Sequence, residues 1–352
     1  MSEIERGCLL IADISGYSRY LGGVELDHAQ DILADLLSDI VANTESLSLA
    51  KLEGDAVFCH APEGVLDGAA LIDTIESCYF AFCKRRRNIK QLTTCPCDAC
   101  ERMEDLDLKF VAHHGEYVKH SVAGREELVG PDVIRVHRLL KNAVPEQVGT
   151  RGYAVLTEAL VDEMDLGAFA AALPKLVEVA DGEDVVINVY DLVARWEDQE
   201  RQTLVVDEPF IDVSAVVQAS PSDVWRIMSS PHERPNWIRY STGVTQENDR
   251  GIPGVGTVNH CAHGDAPDTT DEIVDWTPFD HYSFRTTTPV GAMLVTYSVE
   301  RVDDHTTRIR HRYGAYPGEP VLSDEFVARV GPVFDESVHA LADLITERLT
   351  AR

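Results

Sequence analysis

The stretch Cys8–Ser18, CLLIADISGYS, says most about the fold of the first half of the chain. Its apolar beginning is typical of a buried β-strand, and Asp13 and Gly16 interrupt the pattern where a turn is expected. A helix is predicted next, because apolar side chains recur over Ala29–Val41 at the spacing of one helical face. The chain therefore opens with a strand, a turn and an amphipathic helix.

A β-hairpin is predicted after this helix, with its turn at Glu53-Gly54-Asp55. Helices are then expected over Leu66–Arg87 and Val133–Lys141. Strands are predicted over Leu108–His113, Tyr153–Leu156 and Val185–Tyr190. The order β-α-β-β-α-β-α-β predicts an α+β fold with a mostly antiparallel sheet.

A domain boundary is predicted near Asp198–Asp207, where the polar stretch Glu197–Thr203 precedes a new run of strands. We therefore expect one domain over residues 1–198 and a second over residues 207–352. The second begins with a strand over Phe210–Ala219, followed by a helix capped at Ser220.

The rest of the second domain is predicted to contain short strands followed by one long helix. The strands are predicted over Gly254–His260, Thr270–Trp276, His281–Thr287, Met293–Val302 and Thr307–Tyr313. The helix carries one continuous apolar stripe, formed by Phe334, Val338, Leu341 and Ile345. A curved antiparallel sheet wrapped on such a helix would leave a cavity between them.

The charge excludes several classes of function. The chain has 31 Lys and Arg against 60 Asp and Glu, a formal charge of −29. Binding to nucleic acid phosphates or to anionic lipid needs positive surface, so both are disfavoured. No apolar run approaches the length of a membrane span, and no secretory signal is recognisable, so a cytoplasmic location is expected.

Two carboxylates stand out, because Asp13 and Asp55 each follow a strand beside a glycine. If the two strands are neighbours, the carboxylates converge, and a proton or cation must compensate their charges. Mg²⁺ or Mn²⁺ is the natural partner, together with substrate phosphates. The backbone N–H groups that follow could bind phosphate oxygens; they belong to Ile14, Ser15, Gly16 and Tyr17. Alternatively, both acids only cap local turns.

Several segments together resemble class III nucleotidyl cyclase domains. Leu9–Leu21 is similar to their opening strand and turn, and Lys51–Phe58 to their first hairpin. The later matching segments are Val111–Glu116, Gly130–Leu139 and Val185–Leu192. The resemblance covers about residues 6–195 in order, and its first two motifs are fairly specific.

The resemblance implies a homodimer that binds a nucleoside triphosphate at its interface and forms a cyclic nucleotide. Asp13 and Asp55 match the metal ligands, Lys51 the base-reading lysine and Arg138 the arginine that stabilises the transition state. Glu127 falls near a second base-reading position. The general logic is two-metal clamping of the attacking and leaving oxygens.

Three departures weaken this expectation of cyclase chemistry, and one of them is Glu127, near the position where the family usually reads the base with a polar side chain. The position of the ribose-orienting Asn is Ile134, which cannot form a hydrogen bond. Ala180-Asp181-Gly182 has no base where the family has a phosphate-binding Lys. Missing hydrogen bonds to substrate cost a few kcal/mol each, so slow cyclisation, another nucleotide reaction or none is expected.

The helix that carries Ile134 also presents basic residues. Ile134, Arg138 and Lys141 are spaced to share a face, where Arg138 and Lys141 could bind an anion. A solvated basic face is the alternative. In this detail, and in its cysteines, the domain resembles an uncharacterised cyclase-related family without the ribose Asn.

Three cysteines and two histidines are further candidates. Cys95, Cys97 and Cys100 form a Cys-x-Cys-x-x-Cys loop that could hold a structural Zn²⁺ with a fourth ligand from Cys78, Cys83, His113 or His114. Reduced thiols are the alternative. In an alternating strand, one of His113 and His114 should lie in the core and the other at the surface.

The second domain resembles the START-like, polyketide-cyclase-related (SRPBCC) superfamily of helix-grip domains. The resemblance depends on Val216–Trp225, on Asn236-Trp237 and on the order of elements. It implies binding of an apolar small molecule such as a lipid or polyketide, without transferable catalytic residues. His260, His263, His281 and His311 are expected to be surface or satisfied core residues.

The sequence therefore favours a nucleotidyl cyclase-like protein with an apolar-ligand domain. A second reading is a catalytically inactive nucleotide-binding or dimerisation module that acts as a small-molecule-responsive regulator. A third, weaker reading places the chemistry in the second domain.

Overall fold

The structure, a computed structural model, describes residues 3–92, 98–122, 124–180, 182–264, 266–288, 291–319 and 323–351. The chain divides into two compact units, unit 1 (Met1–Glu197) and unit 2 (Asp198–Arg352). Each unit has its own sheet and its own apolar core.

Unit 1 combines one sheet with helices on both of its faces. Its strands are β1 (Ile4–Ser15), β2 (Ser48–Glu53), β3 (Ala56–Pro62), β4 (Asp107–Val122), β5 (Arg125–Val129), β6 (Tyr153–Thr157), β7 (Lys175–Ala180) and β8 (Glu183–Asp191). Its helices are α1 (Tyr17–Leu21), α2 (Leu26–Asn43), α3 (Gly68–Leu92), α4 (Asp98–Glu101), α5 (Pro131–Arg138), α6 (Val144–Gln147), α7 (Glu158–Glu163) and α8 (Gly167–Ala170). Helix α9 (Leu192–Gln202) begins in unit 1 and ends in unit 2.

The strand order of unit 1 is β2-β3-β1-β4-β6-β8-β7, and β5 pairs with β4. Only the β4–β6 pair is parallel among the described pairs, so the predicted α+β fold with a mostly antiparallel sheet is confirmed. Strands β5 and β7 were not predicted. The polar stretch predicted as a boundary is helical up to Gln202, as the end of α9.

Alternation along β1 assigns side chains to the two faces of the sheet. Leu9 and Ile11 pack in the core cluster that contains Val133 and Val136 of α5. Cys8 and Leu10, which alternate with them, are buried on the opposite face. Asp13 follows the spacing of Leu9 and Ile11, and therefore lies on the α5 face.

Helix α5 is shorter than its predicted range, Val133–Lys141. It begins at Pro131, the favoured residue at a first helical position. The Asn142 side chain donates to the carbonyl of Leu139 and accepts from the N–H of Val144. These local side-chain bonds replace the next helical turn, and the helix ends before Lys141.

Unit 2 is a sheet of antiparallel pairs packed on one long helix. Its strands are β9 (Ile211–Val217), β10 (Gly243–Glu247), β11 (Val258–His263), β12 (Ala266–Thr277), β13 (His281–Thr288), β14 (Gly291–Asp303) and β15 (Thr306–Ala315). Its helices are α10 (Pro221–Met228), α11 (Arg234–Trp237) and α12 (Asp324–Thr350). The strand order is β10-β11-β12-β13-β14-β15-β9, and α12 packs on β9 and β15.

The local predictions for unit 2 are largely confirmed. The Ser220 side chain accepts a hydrogen bond from the N–H of Asp223, which caps α10. Val338, Leu341 and Ile345 of the predicted stripe are fully buried, and Phe334 packs against them. Strand β10, at the edge of the sheet, was missed. In the described part of the chain, no helix combines the length and apolarity needed to cross a membrane.

Candidate functional site

The structure brings Asp13 and Asp55 to the same end of neighbouring strands. Asp13 lies opposite Ala56 in the β1–β3 register, and the Asp55 carbonyl accepts a hydrogen bond from Ile14 at 3.2 Å. Burial and then the charge of Asp13 raise the pKa of Asp55. The two carboxylates therefore repel one another.

A lysine that the sequence analysis missed partly compensates this pair. The Lys109 Nζ of β4 lies 3.1 Å from Asp13 Oδ2 and donates to the carbonyl of Leu140 at 2.9 Å. Both charged side chains are only 18% exposed. Lys109 lies directly opposite Asp13 in the β1–β4 register, so only strand pairing reveals its role.

We tested whether this donor set fits a divalent cation. Mg²⁺ in nucleotide sites uses one or two carboxylates and completes its shell with water and phosphate oxygens. Asp13 and Asp55 supply two carboxylates, and burial and then the charge of Asp13 raise the pKa of Asp55, so a cation held between the two carboxylates would be favoured. The residues therefore fit one hard cation, in competition with the Lys109 ammonium.

The predicted phosphate loop is formed only in part. The N–H of Ile14 is already engaged by the Asp55 carbonyl, so Ile14 cannot bind phosphate as predicted. Ser15 ends β1, and Gly16 has φ 89°, after which Tyr17 begins α1. A Cβ at Gly16 would lie 2.7 Å from the carbonyl oxygen of Asp105, so only glycine fits there.

The two predicted base-reading residues lie together. Lys51 Nζ of β2 is 3.3 Å from Glu127 Oε2 of β5 and 3.6 Å from Glu53 Oε1. The hydrogen bond to Glu127 is the main reason that the pKa of Lys51 is raised. Both side chains are solvent-accessible, so a ligand could exchange with this ion pair at little cost.

The predicted face of α5 lines a surface groove. The groove has a volume of about 370 Å³, and its lining residues are Val133, Ile134, His137, Arg138 and Lys141. Ile134 is 52% exposed, which is unusual for an isoleucine on a helix. His137 connects the groove to Lys51 through Glu53, because its Nε2 lies 2.9 Å from Glu53 Oε2 and Lys51 lies beside the same carboxylate.

The prediction of one core and one surface histidine on β4 is wrong. His113 and His114 are 3% and 6% exposed, because helices cover both faces of the sheet at this point. His113 Nδ1 lies 2.9 Å from Thr157 Oγ1, and its Nε2 lies 3.2 Å from Asp132 Oδ1. Both ring nitrogens are therefore occupied, and His113 is not a fourth zinc ligand.

The zinc prediction falls mostly outside the described residues. Cys95, Cys97 and the side chain of Cys100 are not among them. Cys78 and Cys83 are buried thiols, and burial raises the pKa of Cys83 to about 12. In the described part of the chain, no group of three or more His, Cys, Asp or Glu side chains could hold a metal ion. Zinc binding stays a prediction.

The interior of unit 2 is lined by aromatic rings around a buried ion pair. Arg234 is 2% exposed, its Nη1 lies 2.8 Å from Asp271 Oδ2, and its guanidinium lies over the ring of Phe284. Tyr297 and Tyr313 are also buried, with their hydroxyl oxygens 3.4 Å apart. No motif in the sequence indicated this cluster.

His311 of β15 is the exception among the four histidines of unit 2 considered above. It is fully buried and stacks on Tyr297 with a centroid distance of 3.7 Å. Among the described residues, neither of its ring nitrogens has a hydrogen-bond partner, and the same holds for Trp237 Nε1. Burial, and then the charge of Arg234, lower the pKa of His311 to about 3. The expectation of a satisfied histidine is wrong here.

Two family models match the chain. Residues 33–148 match "Protein of unknown function (DUF2652)", and residues 210–346 match "Polyketide cyclase / dehydrase and lipid transport". An uncharacterized protein of Mycobacterium tuberculosis is 37% identical over 142 residues, which is 40% of this chain. The match spans 65% of that relative's length.

Similar solved structures include two nucleotidyl cyclases and one aromatase. Guanylyl cyclase Cya2 has 14% identity and a TM-score of 0.41, over 54% of this chain and 93% of its own. Adenylyl cyclase CyaB from P. aeruginosa has 14% identity and a TM-score of 0.37, over 54% and 96%. The Zhui aromatase/cyclase from Streptomyces sp. R1128 has 14% identity and a TM-score of 0.33, over 40% and 94%.

The coarse predictions about the two halves are confirmed. The sheet of unit 1 confirms the predicted α+β fold, and the family match over residues 210–346 agrees with the predicted polyketide-cyclase-related second domain. Likenesses at these identities and TM-scores carry no argument about activity, ligands or assembly.

Proposed function

We propose that unit 2 binds an apolar molecule that carries a hydroxyl or carbonyl group. The observation that carries this proposal is His311, whose two ring nitrogens lack partners inside an aromatic interior. A buried polar atom without a hydrogen bond costs about 1–3 kcal/mol, so such atoms point to a missing partner. Trp237 Nε1 offers a further donor beside the same ring, 5.7 Å away between centroids.

The chemistry of this interior defines the ligand. Aromatic rings supply a large apolar contact area, and the neutral imidazole can donate through one nitrogen and accept through the other. Arg234 is held by Asp271, so the interior offers little net charge to a ligand. A planar molecule with a hydroxyl or carbonyl group therefore fits better than a carboxylate or an unsubstituted hydrocarbon.

The test compares two probes that differ by one hydroxyl group. We expect 2-naphthol to quench the tryptophan fluorescence of the full chain saturably, and at least tenfold more tightly than naphthalene. His311→Phe should remove most of this preference and leave naphthalene binding within about twofold. His260→Phe, on the exposed face of β11, is the matched control. Equal binding of both probes, or no saturable quenching, would contradict the proposal.

We infer that unit 1 binds a nucleoside triphosphate, because Asp13 and Asp55 interact on the sheet face that also carries Lys51 and that is covered by α5, the helix of Arg138. Asp13 and Asp55 would hold Mg²⁺ or Mn²⁺, which would neutralise the phosphate charge when bound. Lys51 and Glu127 would contact the base, and the α5 groove would accept the sugar and the phosphates through Arg138 and Lys141.

We expect unit 1 to bind a nucleotide but not to cyclise it rapidly. Ile134 offers no hydrogen bond where the cyclase-like site orients the ribose, so the attacking hydroxyl would be poorly positioned. The Lys109 ammonium also competes with a cation for Asp13. This favours a nucleotide-binding module that responds to a small molecule over an efficient enzyme.

The resemblance to cyclases also implies a homodimer, and exposed apolar side chains support this assembly. Ile134 and Val129, which flank the start of α5, are 52% and 45% exposed. We propose that a second copy covers this face. Light scattering should give twice the chain mass, and Ile134→Lys should shift the equilibrium towards the monomer.

Incubation with each of the four nucleoside triphosphates and Mn²⁺ tests the proposal for unit 1. We expect saturable binding that Asp55→Asn weakens at least tenfold, little cyclic product, and more product from Ile134→Asn. Asp162→Asn, which removes an exposed acid of α7, is the control. Binding that is equal in all variants would exclude the carboxylate pair as the site.

A further inference from the structure

A second cavity lies on the opposite face of the unit 1 sheet from Asp13. It has a volume of about 380 Å³, which is in the range of small-molecule sites. Its floor is formed by Cys8 of β1, Ala61 of β3 and His114 of β4, all of which are buried. Cys8 and His114 are direct neighbours in the β1–β4 register, so both side chains point to this face.

The floor contains a polar atom without a partner. His114 is 6% exposed, and its Nδ1 makes no hydrogen bond to any residue that the structure describes. Burial is the main cause that raises the pKa of the adjacent Cys8 to about 12, so this thiol stays uncharged. An unprotonated Nδ1 would accept a hydrogen bond from a ligand that enters the cavity.

The rim of the same cavity is acidic. Glu63 and Asp67 contribute from the loop between β3 and α3, and Glu163 and Asp165 contribute from the end of α7. Arg6 is the cation paired with Glu163, at 3.3 Å. The carbonyl end of a helix adds further negative potential at α7. A ligand therefore meets several carboxylates before it reaches the imidazole.

Metal chelation does not explain this arrangement. Of the residues that the structure describes, no group of three or more His, Cys, Asp or Glu side chains could hold a metal ion. The carboxylates surround the mouth, and the imidazole lies at the floor, so the donors are spread along the depth of the cavity. A flexible chain with several N–H groups can donate hydrogen bonds to acceptors spread in this way, whereas one ion cannot contact them all.

We propose that this cavity binds an aliphatic polyamine, with one nitrogen donating to His114 Nδ1 and further ammonium groups held by the rim carboxylates. Ammonium groups only donate hydrogen bonds, and carboxylates only accept them, so the two sets match. The methylene segments would contact Ala61 and the neutral Cys8 thiol. This site is independent of the nucleotide and apolar-ligand sites proposed above.

Titration calorimetry of the full chain with spermidine tests the proposal. We expect one site per chain at moderate salt, and at least tenfold weaker binding for the double variant Glu63→Gln, Asp165→Asn. Asparagine is suitable at position 165, because the backbone there has φ 52°, a conformation that asparagine tolerates. Asp162→Asn, an exposed acid that does not line the cavity, should change the affinity less than twofold.

His114→Phe tests the floor separately, and we expect it to weaken spermidine binding at least fivefold. Circular dichroism checks that this variant is folded, and the rim variant keeps the test decisive if it is not. MgCl₂ added at the same ionic strength as the spermidine should not displace bound spermidine. Several equivalent sites, or one affinity shared by all variants, would show only general attraction to an acidic protein and would overturn the proposal.

Discussion

The carboxylate pair of unit 1 and the aromatic interior of unit 2 satisfy their polar groups in opposite ways. In unit 1, Lys109 compensates Asp13, and Glu127 compensates Lys51. In unit 2, Arg234 is paired with Asp271, yet the neighbouring His311 keeps two nitrogens without partners among the described residues. The first site can persist without a ligand, whereas the second has hydrogen-bonding capacity that the described residues leave unused.

A cluster of charged residues is therefore not by itself a sign of a ligand site. The charged side chains of unit 1 are easily recognised as candidates in the sequence, but several of them form ion pairs with each other in the structure. The interior of unit 2 contains His311, which no motif in the sequence singles out. Its unpartnered nitrogens are nevertheless the stronger indication of a ligand.

The largest effect is expected from Arg234→Met in unit 2. Removing the guanidinium leaves the Asp271 carboxylate buried without its partner, which costs about 3–5 kcal/mol of unfolding free energy. Urea denaturation monitored by tryptophan fluorescence measures this loss. Arg239→Met, which breaks an exposed pair with Glu336, should cost less than about 1 kcal/mol. Equal costs for the two variants would show that the buried pair has no special role.

A pH series should distinguish the paired His281 from the unpaired His311. Burial alone lowers the pKa of His281, but hydrogen bonds and charges of Asp275 and Asp280 outweigh it and raise the pKa to about 9. Protonation therefore stabilises unit 2 fully below about pH 6.5, and this contribution, about 3 kcal/mol, disappears as pH rises through 9. Urea denaturation between pH 6 and 10 measures it. His281→Asn should flatten the alkaline decline, and an unchanged decline would exclude His281 as its cause.

Lys109→Met tests whether Lys109 compensates the charges of Asp13 and Asp55. The variant leaves Asp13 and Asp55 without their shared cation, which should lower the unfolding free energy by about 1–3 kcal/mol. Added Mn²⁺ should restore more stability to this variant than to the parent chain, because ligands that bind the folded state stabilise it. Thermal unfolding with and without Mn²⁺ measures both effects. No difference in the response to Mn²⁺ would argue against a cation site at these carboxylates.

The smallest effect is expected from His311→Phe, and its sign is informative. Phenylalanine removes two unpartnered nitrogens and keeps the ring stacked on Tyr297, so stability should rise by about 1 kcal/mol at neutral pH. Below pH 6.5 the gain should grow, because this histidine binds a proton in the unfolded parent chain but not in the folded one, where its pKa is lowered to about 3. Chemical denaturation at pH 5 and pH 7 measures both values. A loss of stability would indicate that His311 has a structural partner.

Much of the fold was predictable because regular patterns encode it. The apolar opening strand, the face of α2 and the stripe of α12 all follow a single period, and each forms as predicted. Strands β7 and β10 escaped prediction because edge strands carry weak patterns. Val177 and Val179 of β7 are 59% and 70% exposed, so burial does not constrain them as it does central strands.

The candidate sites were predictable only where a local pattern marks the residues. Asp13 and Asp55 could be found because each is an acid near a glycine where a strand gives way to a turn. Lys109 and the His114 cavity could not, because they depend on the register of β1 with β4. His113 and His114 are both buried because helices cover both faces of the sheet, and alternation along one strand does not reveal this.

The two-part α+β organisation, the net negative charge and the residues able to carry chemistry follow from local periodicity and composition, so they can be read from the amino-acid sequence. Which charges are compensated, which nitrogens lack partners and which acids share a cavity depends on the folded arrangement, because hydrogen bonds and desolvation act between residues far apart in the chain, at distances set by strand pairing and helix packing.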